Sequence, residues 1–101
     1  MNNRRIRLQT ELEHICDNVY FEPPESIKLK YPAIIYTRNN IHLSSADDIN
    51  YKMSKGYKIT VIDKDPDSEI LKLLIDKFSM LSFEQHFKLE GFNHDIFSLY
   101  Y

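Results

Sequence analysis

The chain has 101 residues, of which 43% are hydrophobic and 13% aromatic, and its net charge is −2. This length fits one domain with a thin core, and the slightly negative charge disfavours nucleic acid as the main partner. The single cysteine, Cys16, excludes an intramolecular disulfide, and the sequence has neither an N-terminal apolar signal nor a run long enough to cross a membrane. We therefore expect a reducing cytoplasm and treat Cys16 as a small buried hydrophobe.

A first amphipathic helix is predicted over residues 3–16, because apolar residues recur there at helical spacing: Leu8, Leu12, Ile15 and Cys16. Arg4, Arg5 and Arg7 stand in its first turn, where positive charge opposes the helix dipole. We expect this turn to fray or to be held by an acidic group. Two interpretations of the arginines are open, namely a solvated basic turn and a contact with a neighbouring subunit.

Three strands are predicted next, beginning with a short one at residues 19–21 that ends before Pro23 and Pro24. A second strand, rich in Ile and Tyr, is predicted over residues 33–38. One of its faces carries Ile34, Tyr36 and Arg38, and the other carries Ala33, Ile35 and Thr37. A third begins at Tyr57, where apolar residues alternate with Lys58 and Thr60 in the period of two typical of a half-buried strand.

The segment after the third strand predicts an abrupt start of a second helix. Asp65 is interpreted as the N-cap and Pro66 as a residue of the first helical turn, with Asp67 and Glu69 placing negative charge near the positive end of the helix dipole. Apolar residues at helical spacing then extend this helix over residues 66–78: Ile70, Leu71, Leu74, Ile75 and Phe78. The alternating acidic residues resemble a calcium loop, but a proline lies inside them and the glycine of such a loop is missing.

The C-terminal part predicts a hairpin, with one strand at residues 83–89, a turn at Gly91 and a final strand at residues 96–101. We expect Phe83, Gln85, Phe87 and Leu89 to share one face of the first of these strands, alternating with Glu84, His86 and Lys88. The final strand is apolar on both faces, so either the two helices cover opposite faces or one face or edge is left as a contact surface.

The predicted fold class is therefore α+β. We expect a single domain over residues 1–101 with two helices and a largely antiparallel sheet of about four to five strands, in the order α-β-β-β-α-β-β.

The polar segment at residues 39–56 separates the second and third strands by more residues than a tight hairpin needs. We interpret it either as an extended flap that prolongs the two flanking strands or as a segment that orders on a partner. It is the predicted binding region, with apolar contacts from Ile41, Leu43, Tyr51 and Met53 and an acidic pair at Asp47 and Asp48.

The sequence offers no recognisable catalytic or metal-binding pattern. The four histidines, His14, His42, His86 and His94, lack metal-ligand spacing, and no serine lies in a nucleophile-elbow setting. We therefore expect no catalytic residue, no metal and no cofactor, and a protein that is not an enzyme. A hydrolase would return as an alternative if His86, His94 and Asp95 met in one cleft.

Four segments in this order resemble a family of small proteins from the head-tail region of tailed bacteriophages and prophages: NVYFEPPE at 18–25, YPAIIY at 31–36, YKITVIDKDPDS at 57–68 and NHDIFSLYY at 93–101. Members of the family are described as minor capsid, tail completion or tail terminator proteins. The resemblance covers nearly the whole chain, and the four segments together carry it.

The resemblance implies a structural subunit that forms a ring, commonly hexameric, which caps the tail tube and joins it to the neck. The implied partners are further copies of the chain, the tail-tube protein and a neck or head-closure protein. The implied location is the virion, with assembly in the bacterial host cytoplasm. Within such a ring, Arg4 and Arg5 of one subunit could meet Asp47 and Asp48 of the next, because a ring needs two different complementary faces.

The first alternative is a head-closure or adaptor protein on the portal side of the neck. Outside this class, the alternative is a small regulatory or nucleic-acid-associated protein, against which the net charge argues.

Overall fold

The computed structural model describes residues 4–39 and 56–101. Its elements, in chain order, are helix α1 (Arg4–Glu13), strands β1 (Val19–Phe21), β2 (Ala33–Arg38) and β3 (Gly56–Asp63), helix α2 (Glu69–Lys77), and strands β4 (Leu81–Leu89) and β5 (Phe92–Tyr100). The order and the α+β class predicted from the sequence are both confirmed.

The strands of the described ranges form one five-stranded sheet in the order β1-β2-β3-β5-β4. β1 runs parallel to β2, whereas the pairs β2–β3, β3–β5 and β4–β5 are antiparallel. β5 therefore lies inside the sheet between β3 and β4, and the two edges of the sheet are β1 and β4. β3 and β4 run in the same direction, so α2 is the crossover that connects them.

The helices pack on one face of this sheet. In β3, Tyr57, Ile59 and Val61 are buried against them, as the alternation in the sequence predicted. The remaining buried members of the same core are Leu8, Leu12, Cys16, Ile34, Tyr36, Ile70, Leu74, Phe78, Phe97 and Leu99. Because all the strand members of this core point to the same side, the interpretation that placed the helices on opposite faces is wrong.

Helix α2 begins later than predicted. Its N-cap is Ser68, whose Oγ accepts a hydrogen bond from the backbone N–H of Ile70 at 3.2 Å, so Asp65 is not the cap and Pro66 is not in the first turn. The reason is local: the Oδ1 atom of Asp65 accepts from the N–H of Asp67 at 2.9 Å, and this side-chain turn keeps the chain out of helical geometry.

Other predicted bounds also shift. Helix α1 ends at Glu13, and the chain continues to Cys16 as a turn in which the N–H groups of His14 and Cys16 still donate to the carbonyls of Thr10 and Leu12. β5 begins at Phe92, four residues earlier than predicted, because Glu90 and Gly91 both have positive φ and form a two-residue hairpin turn that pairs Leu89 with Phe92. Gly91 supplies the turn as predicted.

Candidate interaction surface

The first turn of α1 is held by aromatic rings of the same chain. The Arg4 guanidinium lies 5.2 Å from the centre of the Tyr101 ring, and that of Arg5 lies 4.5 Å from the centre of the Phe21 ring. Arg5 Nη1 also donates to the hydroxyl of Tyr36 at 3.4 Å. Cation–π contacts therefore hold Arg4 and Arg5, which are half-buried, whereas Arg7 is exposed.

One polar atom of this turn is unusual. Arg4 Nε is buried and makes no hydrogen bond to any residue in the described part of the chain. The role of Arg4 and Arg5 in contacting another subunit stays a prediction. The other residues predicted to bind a partner, Ile41, Leu43, Asp47, Asp48, Tyr51 and Met53, lie outside the described residues.

The face of the sheet opposite the helices is open. No helix of the described ranges covers it, and most of its residues are half-buried or exposed. Ala33 and Ile62, which pair across β2 and β3, are the exceptions because both are buried. One row crosses all five strands through the registered pairs: Tyr20, Ile35, Thr60, Ile96 and Gln85. The centre of this open face is therefore a mixture of aliphatic, aromatic and hydroxyl side chains without formal charge.

Aromatic rings concentrate at the end of the open face near the β4–β5 hairpin. The rings of Phe87 and His94 stack with their centres 4.7 Å apart, and those of Tyr31 and Phe92 lie 4.4 Å apart. Lys64 Nζ lies 5.5 Å from the centre of the Phe92 ring. Tyr31, Lys64 and Phe92, together with Pro32 and Asp63, line an open cleft of about 340 Å³.

The two edges of the sheet differ. β1 has three residues and is followed by Glu22, with φ of 43°, and by two prolines, so the edge is short and blocked. β4 has nine residues, of which all but Leu81 and Phe87 are exposed. β4 is therefore the long, accessible edge of the sheet.

A β-bulge at Glu84 changes the faces of β4. Phe83 pairs with Phe97 on the helix side, whereas Phe87 pairs with His94 on the open side. Gln85, Phe87 and Leu89 share a face as expected, but the prediction is wrong for Phe83, because the extra residue reverses the alternation before Gln85. Phe83 makes an edge contact with the ring of Phe97 at 5.5 Å, yet 58% of Phe83 is exposed.

The histidine cluster that would have favoured a hydrolase does not form. His86 Nδ1 lies 2.7 Å from Asp95 Oδ1 on the helix side of the sheet, whereas His94 stacks on Phe87 on the open side. Across residues 4–39 and 56–101, no group of three or more His, Cys, Asp and Glu residues is placed to hold a metal ion.

Cys16 is buried, as predicted, and its thiol contacts two backbone carbonyls. Its single S–H has two carbonyl oxygens as acceptors within reach of Sγ, that of Pro32 at 3.4 Å and that of Asn18 at 3.6 Å. Burial raises the pKa of this thiol above its ordinary value. The low thiolate fraction that results argues against a nucleophilic role.

The sequence matches no protein-family model and no curated protein. Within the described ranges, neither helix is long and apolar enough to cross a membrane. What sequence reasoning missed at the surface is the bulge at Glu84 and the resulting exposure of Phe83. The only signal for it was the pairing register of β4, which a single sequence does not contain.

Proposed function

We propose that the protein is a structural subunit of a tailed-phage head-tail junction, and specifically a tail terminator or tail completion subunit that forms a ring on the tail tube. The four resembling segments supply the family. The observation that carries the proposal is the sheet face without helical cover, because a domain whose function is assembly needs large surfaces free for other chains.

The open face has the composition of a protein contact. Its central row carries no formal charge, with Thr60 between Ile35 and Ile96, and the hairpin end adds aromatic rings and Lys64 at the border. Interface centres are depleted in charge and enriched in aromatic residues, with polar groups at the rim. We infer that this face meets the tail tube or the adjoining neck protein.

The first test is the mass in solution, alone and after mixing with the tail-tube protein of the same gene cluster, measured by light scattering. A ring, or binding that stops tube growth, supports the proposal. A protein that ignores the tube but binds the portal or adaptor overturns tail termination and assigns the chain to head closure.

The open face is tested with Ile96→Lys, which places a charge in the central row. We expect tube binding to weaken about tenfold or more, since a buried unpaired charge is strongly unfavourable at an interface. Ile27→Lys is the matched control, because Ile27 is an exposed isoleucine between β1 and β2. If both variants bind the tube equally well and keep the far-UV circular dichroism of the wild type, the open face is not the surface that contacts the tube.

The basic turn of α1 is tested separately by reversing charge at Arg4 and Arg5. Loss of ring assembly is expected if these arginines meet an acidic surface of the next subunit. Because both arginines contact aromatic rings, the thermal midpoint is measured in parallel. Assembly that persists in a folded double variant would contradict this contact.

A further inference from the structure

The cleft at the hairpin end of the sheet is assembled from three separate segments of the chain. Tyr31 precedes β2, Lys64 follows β3 and Phe92 begins β5. The planes of the Tyr31 and Phe92 rings are tilted by 37°, and the Lys64 ammonium group lies over the Phe92 ring. Two aromatic rings and one cation therefore line an open space of about 340 Å³, which is near the lower size limit of ligand pockets in proteins.

The backbone beside this cleft is held in place by side-chain hydrogen bonds. Asn93 is buried, and its Nδ2 donates to the carbonyl oxygens of Lys64 at 3.1 Å and of Asp63 at 3.3 Å. The Oδ1 atom of Asp63 accepts from the N–H of Asp65 at 3.1 Å. Because these bonds fix the end of β3 to β5, the lining segments need little ordering when a ligand binds, which reduces the entropic cost of binding.

The side chains of the cleft retain binding capacity. Tyr31 is 44% exposed, and Lys64 is exposed as well. Within residues 4–39 and 56–101, no carboxylate lies within ion-pair distance of Lys64 Nζ. Asp63 uses one oxygen for the backbone of Asp65, and a carboxylate has a second oxygen that accepts hydrogen bonds.

These groups define a ligand chemistry. The rings of Tyr31 and Phe92 offer surface on which another aromatic ring stacks. The Lys64 ammonium attracts an anion, whereas the Asp63 carboxylate accepts from N–H donors and repels a ligand that is only anionic. The matching ligand is therefore a planar aromatic ring that carries both an anionic group and an N–H donor.

We propose that this cleft binds a small molecule of that chemistry, which is shared by nucleoside monophosphates with an amino base and by free aromatic amino acids. The ring stacks on Tyr31, the anionic group binds Lys64 and the N–H donor binds Asp63. This inference rests on the cleft alone and does not depend on the head-tail proposal.

The test is a heteronuclear NMR titration of the whole chain with adenosine monophosphate and, separately, with tryptophan. We expect saturable shifts of the Tyr31, Lys64 and Phe92 amides, with half-saturation below about 1 mM for at least one of the two probes. The probe that saturates identifies the source of the ligand. Adenosine and tryptamine are the matched probes without the anionic group, and each should bind at least about fivefold more weakly than its anionic counterpart.

Two variants test the assigned contacts. Lys64→Gln should weaken the binding of the saturating probe about fivefold through loss of the cation, and Tyr31→Ala about tenfold through loss of the stacking surface. Lys58→Gln is the matched control, because Lys58 is an exposed lysine of β3 that lies six residues before Lys64, or about 20 Å away. It should leave the affinity unchanged.

The proposal is overturned if neither probe saturates below about 1 mM, or if the shifts centre on residues away from the cleft. Equal binding of a probe and its match without the anionic group overturns it too, because the cation then has no role. These comparisons use the wild-type chain, so they decide the proposal even if a variant does not fold.

Discussion

At the scale of single residues, side-chain hydrogen bonds to the backbone determine where helix α2 begins. Asp65 followed by Pro66 has the sequence pattern of a helix start, yet Ser68 performs the capping. The prediction failed because an aspartate can cap a helix or close a side-chain turn, and both use the same oxygen and a nearby N–H. Whether the aspartate caps the helix or closes the turn depends on where β3 ends and where α2 packs. Both are set by the tertiary structure and cannot be predicted from the local sequence.

Ser68→Ala should destabilise the protein by about 1 kcal/mol, because it removes the acceptor for the Ile70 N–H at the start of α2. The measurement is urea unfolding followed by circular dichroism. Asp65→Ala is the comparison, since its carboxylate bonds only within an exposed turn. A larger loss for Asp65→Ala than for Ser68→Ala would return the capping role to Asp65.

At the scale of elements, periodicity predicted the type of each helix and strand, and pairing set their bounds. The alternation from Tyr57 to Val61 was confirmed residue by residue, because β3 is paired on both sides and the helices bury one of its faces over this stretch. β4 lies at an edge with few constraints, and there the bulge at Glu84 reversed the alternation. Edge strands tolerate bulges, and a bulge leaves no clear mark in a single sequence.

Two neighbouring leucines of α2 test its packing. Leu74 is completely buried in the core, whereas Leu73 is 39% exposed. Leu74→Ala should cost about 2–5 kcal/mol through lost burial and the cavity that remains, and Leu73→Ala should cost clearly less. Chemical denaturation of the two variants gives both values. Similar losses would mean that α2 is rotated about its axis.

The β4–β5 hairpin turn is tested with Gly91→Ala. Gly91 has a φ of 84°, a conformation that L-residues avoid, although no heavy atom lies near the position of an added Cβ. The expected destabilisation is about 1–2 kcal/mol, and it arises from the backbone alone. A thermal midpoint equal to that of the wild type would show that the turn relaxes to another type.

At the scale of the whole molecule, the sequence predicted the α+β class, the element order and a small mixed core. It left open whether the helices share one face, because β5 is apolar on both sides and strand alternation alone does not say which side is covered. The open face therefore emerged only from the register of all five strands. The predicted binding residues Arg4 and Arg5 were found against aromatic rings, which charge spacing does not reveal.

The molecule should lose stability at alkaline pH. Burial raises the pKa of the Cys16 thiol above 9.0 and those of the Tyr36 and Tyr101 hydroxyls above 10.0. The folded protein then holds protons that the unfolded chain releases, so the stabilisation is complete below these ordinary values and falls as the pH rises through the folded pKa values. Urea midpoints measured from neutral to strongly alkaline pH should decrease.

Cys16→Ala provides the matched variant for this prediction. Its urea midpoint should depend less on pH just above the ordinary thiol pKa, because one of the three groups has been removed. An identical pH dependence in both proteins would show that the thiol does not contribute.

The position of β5 between β3 and β4 also governs the order of events during synthesis. β4 leaves the ribosome before β5 does, and its neighbour in the sheet does not yet exist. Until β5 emerges, β3 has only β2 as a partner and β4 has none, so β4 cannot be held in its native register. The nascent chain must therefore protect exposed strand edges over this interval, when contact with other nascent chains is most hazardous.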